Sequence, residues 1–512
     1  MAAPRPTRLR RTPLSALAAL LGAPDPATGV VVTGVTLDSR AVRPGDLYAA
    51  LPGARAHGAD FTASALESGA VAALTDADGA RRVADAGLDV PLVVVEGPRL
   101  VLGRVAARVY GTEDLDLRLV GVTGTNGKTT TAHLVHSALT ALGRSAGLIG
   151  TVETRIGDER LDSVRTTPES PDLHAVLAVM AERGLDTCVM EVSSHALAQH
   201  RVDGVVYDVA LFTNLSQDHL DFHADMDDYF AAKASLFTPE RSRVGLVCTD
   251  DAWGRRLVER SGVPVRTIGS AVDADWRVAV DEADPSVFRL TAAGVDLHLR
   301  SSLPGDFNVT NTAMAAAALV LLGEDAVAVG EAVLTDPHVP GRMEAIAAPE
   351  GAAAPRSLVD YAHTPEAIRA ALHALRPTTP GLLVCVTGAG GDRDRDKRRA
   401  MGAAAAEVAD VVVVTDDNPR SEDPAAIRAA VLEGVEQVRA TGRAVTVTEV
   451  GDRREAIREA VRAAWPHGAD ATVAVVGKGH ESGQDVGGVV HPFDDRHELA
   501  EALRLVAGEA TA

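Results

Sequence analysis

The sequence predicts an α/β protein of three domains, the second and third each built on a mostly parallel sheet with helices on both faces. Length is the first reason: 512 residues, at roughly 100–200 per domain, make about three. Order is the second. From residue 113 onward short apolar runs alternate with helix-spaced segments, and strand–helix–strand repeats require parallel pairing. The third is the stretch 119–131, LVGVTGTNGKTTT, in which an apolar strand passes through a glycine-bearing turn into a helix, the local build of a phosphate site.

Residues 1–112 form the first predicted domain. Pro13 should open a helix with Leu14, Leu17, Leu20 and Leu21 on one face, closed by Gly22. The basic residues ahead of that short apolar segment imitate a signal peptide, but a helix is the preferred reading. No apolar stretch reaches the length of a membrane span, so no membrane insertion is expected, and a chain with a nucleotide-type phosphate site is expected in the cytoplasm. Strands are expected at 30–37, 45–51 and 92–95, and helices at 61–68 and 103–110. The turn Thr36-Leu37-Asp38-Ser39-Arg40 follows a strand, where a ligand could be met, although its local chemistry is that of an ordinary turn.

Residues 113–342 form the second domain. Its strands fall at 118–123, 146–150, 186–191, 208–214 and 243–248, and its helices at 130–142, 171–183 and 226–236. Three alternating stretches, 276–280, 287–291 and 295–299, predict an antiparallel patch, and 307–322 an alanine-rich buried helix. Residues 343–512 form the third domain, with strands at 357–360, 382–387, 411–415, 444–448 and 472–476. Helices at 365–376, 397–408, 424–435 and 452–464 lie between them.

Composition narrows the function. The net charge is −21 and aromatics are only 3%, which disfavours a nucleic-acid binder, where a basic face with stacking aromatics is needed. A bound nucleotide must then be held by local cations. Cys188, Cys248 and Cys385 each sit in or beside an apolar run without a CxxC pair, and read as buried thiols in a reducing compartment.

The chemistry starts at Gly124-Thr125-Asn126-Gly127-Lys128-Thr129-Thr130. Lys128 should reach the β- and γ-phosphates of ATP or GTP, and Thr129 should place its hydroxyl on Mg²⁺. The loop is a variant, because Val122 stands where the first glycine usually does. Glu191, ending a strand on the ligand edge of a parallel sheet, is a candidate second magnesium ligand or else a surface carboxylate. No NKxD segment is present to read guanine, which favours ATP. In 212–223 two histidines, His219 and His223, and two aspartates, Asp218 and Asp221, fall within six residues, a cluster suited to metal or nucleotide. Lys233, by composition alone, is a solvated helix lysine. In the third domain Thr387-Gly388-Ala389-Gly390-Gly391 fails as a dinucleotide fingerprint, since Arg393 takes the place of the third glycine. Charged loops at 391–399, 416–420 and 477–481 follow three strands of one sheet. Carrying both signs, they suit a zwitterion such as an amino acid.

Together TGTNGKTTT, MEVSSHALAQHRV, FTNLSQDHLDFH, Gly341-Arg342-Met343-Glu344, DYAHTP, GAGGDRD, DDNPR and GKGHE resemble the Mur ligases of peptidoglycan synthesis across nearly the whole chain. The resemblance implies a first domain holding a UDP-sugar, a central P-loop ATPase and a C-terminal Rossmann-like domain. It implies a monomeric enzyme that phosphorylates the γ-carboxylate of UDP-N-acetylmuramoyl-L-alanyl-D-glutamate with ATP and joins it to meso-2,6-diaminopimelate through an acyl phosphate. Gly124 to Thr130, Asn308, Arg342 and Asp360 would hold ATP. Leu37, Ser39, Thr166, Thr167, Ser193, Gln199 and Arg201 would hold the UDP-dipeptide. Arg393, Asp417, Asn418, Pro419, Arg420, Gly477 and Glu481 would hold diaminopimelate. Lys128, Glu191, His219 and Lys233 would be the catalytic group, with Thr129, Glu191, His219 and Lys233 around magnesium. Lys233 matches the lysine that the family carbamylates to N6-carboxylysine. Ala54-Arg55-Ala56 departs from the family's sugar-contacting segment. Folylpolyglutamate synthetase, which shares the central ATPase, would carry neither DDNPR with GKGHE nor the first domain.

Overall fold

Three main sheets, each with its own core, organise the computed structural model, which describes residues 3–163, 165–335 and 337–511. The first has four parallel strands in the order Gly34–Thr36, Asp46–Ala49, Ala72–Thr75 and Leu92–Val94. Helix Leu14–Leu21 ends at Gly22 in the left-handed region (φ 65°), as its sequence predicts. The expected strand 30–37 divides: Val31–Val32 pairs with Thr12–Pro13, and only Gly34–Thr36 joins the main sheet. Helix Pro98–Tyr110 starts five residues before its predicted position, because Pro98 suits the first helical turn and Gly97 provides a left-handed N-cap. Its Gly103 lies against Asp203, where a Cβ would stand 2.1 Å from the backbone oxygen. That close approach joins the first sheet to the second, and their shared core includes Ala175 and Ala178.

The second sheet has eleven strands. Those from Ala146–Ile149 through Thr187–Glu191, Arg118–Thr123, Tyr207–Phe212, Ser242–Cys248 and Val265–Gly269 to Trp276–Val280 run parallel. Hairpin Glu153–Ile156/Glu159–Asp162 flanks one side, and the predicted antiparallel patch, Trp276–Val280, Val287–Ala292 and Val295–Arg300, the other. Helices Lys128–Ala141 and Asp306–Leu321 bury one face, and Ser170–Glu182 and Met226–Ala234 the opposite one. In the centre Glu191 stands opposite Val122 and Phe212 opposite Thr123. Three strand ends therefore open on one edge.

The third sheet runs Glu344–Ala345, Arg356–Asp360, Thr472–Val476, Leu383–Thr387, Val411–Val414 and Thr446–Glu449, parallel after the first strand. Two further elements have no counterpart in the sequence reading: hairpin Gly483–Val486/Val489–Pro492 and helix Asp495–Thr511. All three cysteines are buried and unpaired, and burial pushes each thiol up to about 12. Among the described residues no helix is long and apolar enough to cross a membrane.

Helix Asp495–Thr511 is tied to helix Arg453–Ala464 by one ion pair with no solvent exposure on either side chain. Arg453 Nε and Nη2 each donate to an Asp495 oxygen at 2.7 Å, and Nη2 also reaches the Val476 carbonyl at 3.0 Å. Asp495→Ala should strand the guanidinium and lower unfolding free energy in urea by about 3–5 kcal/mol. The double variant Arg453→Met/Asp495→Leu should lose far less. Equal losses in the two would show that packing, not the unpaired charge, sets the cost.

Candidate functional site

The loop after Arg118–Thr123 is shaped from outside as much as from within. Thr125 N donates to Asn214 O (2.9 Å) and Asn126 N to Asn214 Oδ1 (3.0 Å). Thr213 Oγ1 donates to Asn126 O at 2.6 Å. Gly124 (φ 147°) leaves room for this clamp, since a Cβ there would fall 1.9 Å from Thr213 Oγ1. Gly127 (φ 85°) caps helix Lys128–Ala141 and leaves the first-turn N–H groups directed at the cavity.

Two lysines meet on this loop. Lys128 Nζ donates to the carbonyls of Gly124 (2.9 Å) and Thr125 (2.8 Å), and Lys233 Nζ to the same Gly124 oxygen (2.7 Å). Lys233 is 1% exposed, which corrects its reading as a solvated helix lysine. Helix Met226–Ala234 turns that position onto the ligand edge, with the ammonium 4.6 Å from the centre of the Tyr229 ring. Burial, and then the neighbouring Lys128 charge, hold the Lys233 amine well below the ordinary lysine range. Burial also lowers Lys128.

Glu191 is likewise interior, not a surface carboxylate. Its Oε2 accepts from Thr129 Oγ1 (2.9 Å) and Thr151 Oγ1 (3.0 Å), and its Oε1 from Thr151 N (2.7 Å). Arg342 Nη2 donates to Thr129 Oγ1 at 3.1 Å. His219 (φ 57°) packs edge-on to His195, and burial keeps its imidazole neutral, lowered to about 3. Among the described residues Glu191 has no ion-pair partner, and no three His, Cys, Asp or Glu side chains form a ready metal cluster. The Thr129 hydroxyl and the buried Glu191 carboxylate are oxygen donors that fit a hard divalent cation such as Mg²⁺.

These groups line a cavity of about 590 Å³ between the second and third sheets. Thr125 to Thr130, Thr166, Glu191, Ser193, His219, Lys233, Asn308, Arg342 and Asp360 all face it, while Gly124 lies behind the loop. Asp360 accepts from Met343 N (2.7 Å) and Ala362 N (2.8 Å), which pins the chain where it crosses between sheets. Arg342 lies 4.3 Å over the Tyr361 ring. From the third unit Lys397 (3.6 Å) and His363 (3.8 Å) approach Asp218, and Arg393 approaches Asp221 (3.6 Å). Burial alone would raise the Asp218 carboxyl, but the approach of His363 and nearby cations holds it far below the carboxylate range.

The remaining predicted residues form two groups outside this lining. Thr167 Oγ1 donates to Glu191 O (2.9 Å) and accepts from Ser193 N (3.1 Å). Arg201 pairs with Glu169 (2.9 Å) and donates to Gln199 Oε1 (2.5 Å), and Arg99 reaches Glu169 from the first sheet (3.1 Å). Leu37 and Ser39 lie in the first domain, at the turn leading into the short helix Ser39–Ala41. In the third unit Gly477, Glu481 and the residues from Asp417 to Arg420 gather around Lys478, which the sequence reading had left unassigned. Fully buried, Lys478 donates to Asn418 Oδ1 (3.1 Å) and Glu481 Oε2 (3.0 Å) and lies 3.9 Å from Asp417. Asn418 Nδ2 donates to Glu481 Oε2 (2.8 Å), and Arg420 Nη1 to Gly391 O (2.6 Å). Thr151, Glu169 and Arg99 were also missed. Thr151 alone carried a usable signal, its place at a strand end.

Family models match three stretches: the Mur ligase family, catalytic domain over 31–110, the Mur ligase middle domain over 122–319, and the Mur ligase, glutamate ligase domain over 341–479. A Streptomyces avermitilis protein named UDP-N-acetylmuramoyl-L-alanyl-D-glutamate–2,6-diaminopimelate ligase is 52% identical over 511 residues, 99% of each chain. A UDP-N-acetylmuramyl-tripeptide synthetase of Leifsonia xyli is 47% identical, covering 98% of this chain and 99% of its own. A solved structure titled as a UDP-N-acetylmuramoyl-L-alanyl-D-glutamate–2,6-diaminopimelate ligase superposes with a TM-score of 0.64 at 31% identity, over 93% of this chain and 95% of its own.

The clamp at Gly124 is testable by itself. Gly124→Ala would drive a methyl group into Thr213 and strain the backbone, so a fluorescent ATP analogue should bind at least ~10-fold more weakly. Unchanged affinity would mean that the loop opens without cost.

Proposed function

The chain belongs to the Mur ligase family, and we propose on that premise that it joins meso-2,6-diaminopimelate to UDP-N-acetylmuramoyl-L-alanyl-D-glutamate at the expense of ATP. The observation that carries the choice of amino acid is a charge balance. Arg420 has no ion-pair partner among the described residues, while Asp417 and Glu481 face a single ammonium, Lys478. One uncompensated positive charge beside one uncompensated negative charge complements the zwitterionic far end of diaminopimelate. L-Lysine has an ammonium there but no carboxylate.

The domain division follows: 1–112 for the UDP end, 113–342 as a P-loop ATPase and 343–512 as a Rossmann-like domain for the amino acid, in a cytoplasmic monomer. Gly124 to Thr130, Asn308, Arg342 and Asp360 hold ATP. Leu37 and Ser39 meet the UDP-sugar, and Thr166, Thr167, Ser193, Gln199 and Arg201 the dipeptide. A γ-carboxylate oxygen of the D-glutamyl residue attacks the γ-phosphorus, ADP leaves, and an acyl phosphate forms. The amine of diaminopimelate attacks the acyl carbon, loses a proton, and phosphate departs as the amide closes. The Lys128 ammonium offsets charge on the transferring phosphoryl group in a site of low dielectric. Thr129, Glu191, His219 and, once carbamylated, Lys233 would hold magnesium, which would supply further charge neutralisation. The geometry supports carbamylation of Lys233, because burial shifts its amine toward the unprotonated form, and only that form adds to CO₂, losing a proton to give the carbamate. Arg393 and Gly477 complete the amino-acid site, with Asn418 and Pro419 shaping its loop.

Lys233→Ala should be nearly inactive and partly restored by a short-chain carboxylate in the buffer. An unmodified amine found by mass spectrometry of fully active enzyme would remove the carbamate from the mechanism.

Phosphate release measured with the UDP-dipeptide against a panel of amino acids should rank meso-diaminopimelate at least ~30-fold above L-lysine, the scale for an unpaired buried charge. Arg420→Ala should raise KM for diaminopimelate strongly and leave KM for ATP nearly unchanged. Equal use of the two amino acids by the wild type would overturn the assignment.

A further inference from the structure

The Asp417–Arg420 loop does not support itself. Arg420 sits at φ 53°, a left-handed conformation that an arginine adopts only when neighbours impose it. The neighbours are on hairpin Gly483–Val486/Val489–Pro492. Arg420 N donates to Asp485 O (3.0 Å) and Gly487 N to Arg420 O (2.7 Å), so Arg420 is bonded to the hairpin on both sides of its own peptide unit. Gln484 Nε2 donates to the Asp417 carbonyl (2.8 Å), and Asp485 N to Asn418 Oδ1 (3.0 Å). The loop is thus gripped along its length by one ribbon.

The ribbon has little other employment. Among the described residues it pairs only within itself, apart from a single bridge between Val486 and Arg420. Val489 and Val490 are 57% and 66% exposed, so its outer strand packs into no core. An isolated two-stranded hairpin is marginal in water, and this one gains from its own turn. Gly487 (φ 63°) and Gly488 (φ 81°) have the paired positive φ values of a tight hairpin turn, and Asp485 Oδ1 accepts from Gly488 N (3.1 Å). Turn, ribbon and loop therefore form one mechanical chain that ends at the Arg420 guanidinium.

We infer that the hairpin at 483–492 is a positioning element for amino-acid selection, with Gln484 and Asp485 aiming Arg420 and Asn418 at the incoming amino acid. This rests on the diaminopimelate reading above. None of the hairpin residues touches reacting atoms. They act through the loop, by holding a guanidinium in a geometry suited to paired hydrogen bonds with a carboxylate.

Three substitutions test it in the full-length enzyme. Gln484→Ala removes one donor to the loop and nothing from the core. It should raise KM for diaminopimelate about three- to tenfold, the scale of one lost hydrogen bond. KM for ATP and for the UDP-dipeptide should not move, and the preference for diaminopimelate over L-lysine should fall. Gly487→Val places a β-branched residue at positive φ and should act in the same direction, whereas Gly487→Asn, which tolerates that conformation, should match the wild type. Unchanged KM and unchanged preference in both Gln484→Ala and Gly487→Val would overturn the inference while leaving the function intact. KM values rising together for all three substrates, with a lower Tm, would make the hairpin merely structural and overturn it too. A wild-type enzyme that ignores diaminopimelate would overturn both.

Discussion

The register of three parallel strands governs everything at this site. Because Glu191 lies opposite Val122 and Phe212 opposite Thr123, the loops leaving the three strands emerge side by side on one edge. The middle loop carries Lys128 and Thr129, one neighbour carries Glu191, and the other carries Asn214 and His219. A slip of one residue would turn each strand's side chains to the opposite face and separate these groups. The Gly124 carbonyl shows how tight the arrangement is. It accepts from both Lys128 and Lys233, so two lysine side chains share one acceptor in the interior.

Such crowding has a chemical consequence. An ammonium buried beside another ammonium is driven toward its neutral form, and a neutral amine is a nucleophile. Glu191 is the counterpart, a buried carboxylate satisfied by hydroxyl and amide donors in place of a cation. The site thus keeps its lysines and its carboxylate on separate hydrogen-bond partners. The contacts of Lys397 and His363 with Asp218, and of Arg393 with Asp221, bring the third unit over the same edge. Reactants held between the two units are oriented and shielded from water together.

In the third unit the same edge logic gathers another set of loops. Loops following Leu383–Thr387, Val411–Val414 and Thr472–Val476 converge because their strands are neighbours in the sheet. Lys478 binds the convergence from below, fully buried, by donating to Asn418 and Glu481. The buried pair of Arg453 and Asp495 stands next to it, with Arg453 bonded to the Val476 carbonyl just before Gly477. Charges are used here as scaffold, while Arg420 donates to the Gly391 carbonyl and has no ion-pair partner among the described residues.

The sequence by itself determined the α/β layering, since alternating strand and helix periodicities record which faces are buried. It determined the strand–turn–helix of 118–141 too, where glycine, lysine and threonine act within one local segment. It also located the charged loops that follow the strands of the third sheet. Tertiary structure alone decided the burial of Lys233, the partners of Glu191 and the role of Lys478. Each depends on groups far along the chain, or on a polar side chain placed where periodicity marks only surface. Thr129 and Thr151 lie 62 and 40 residues from Glu191, a distance that no local pattern spans. The hairpin at 483–492 was illegible for the same reason: its order comes from the loop it grips, and a ribbon with an exposed outer strand leaves no hydrophobic pattern to read.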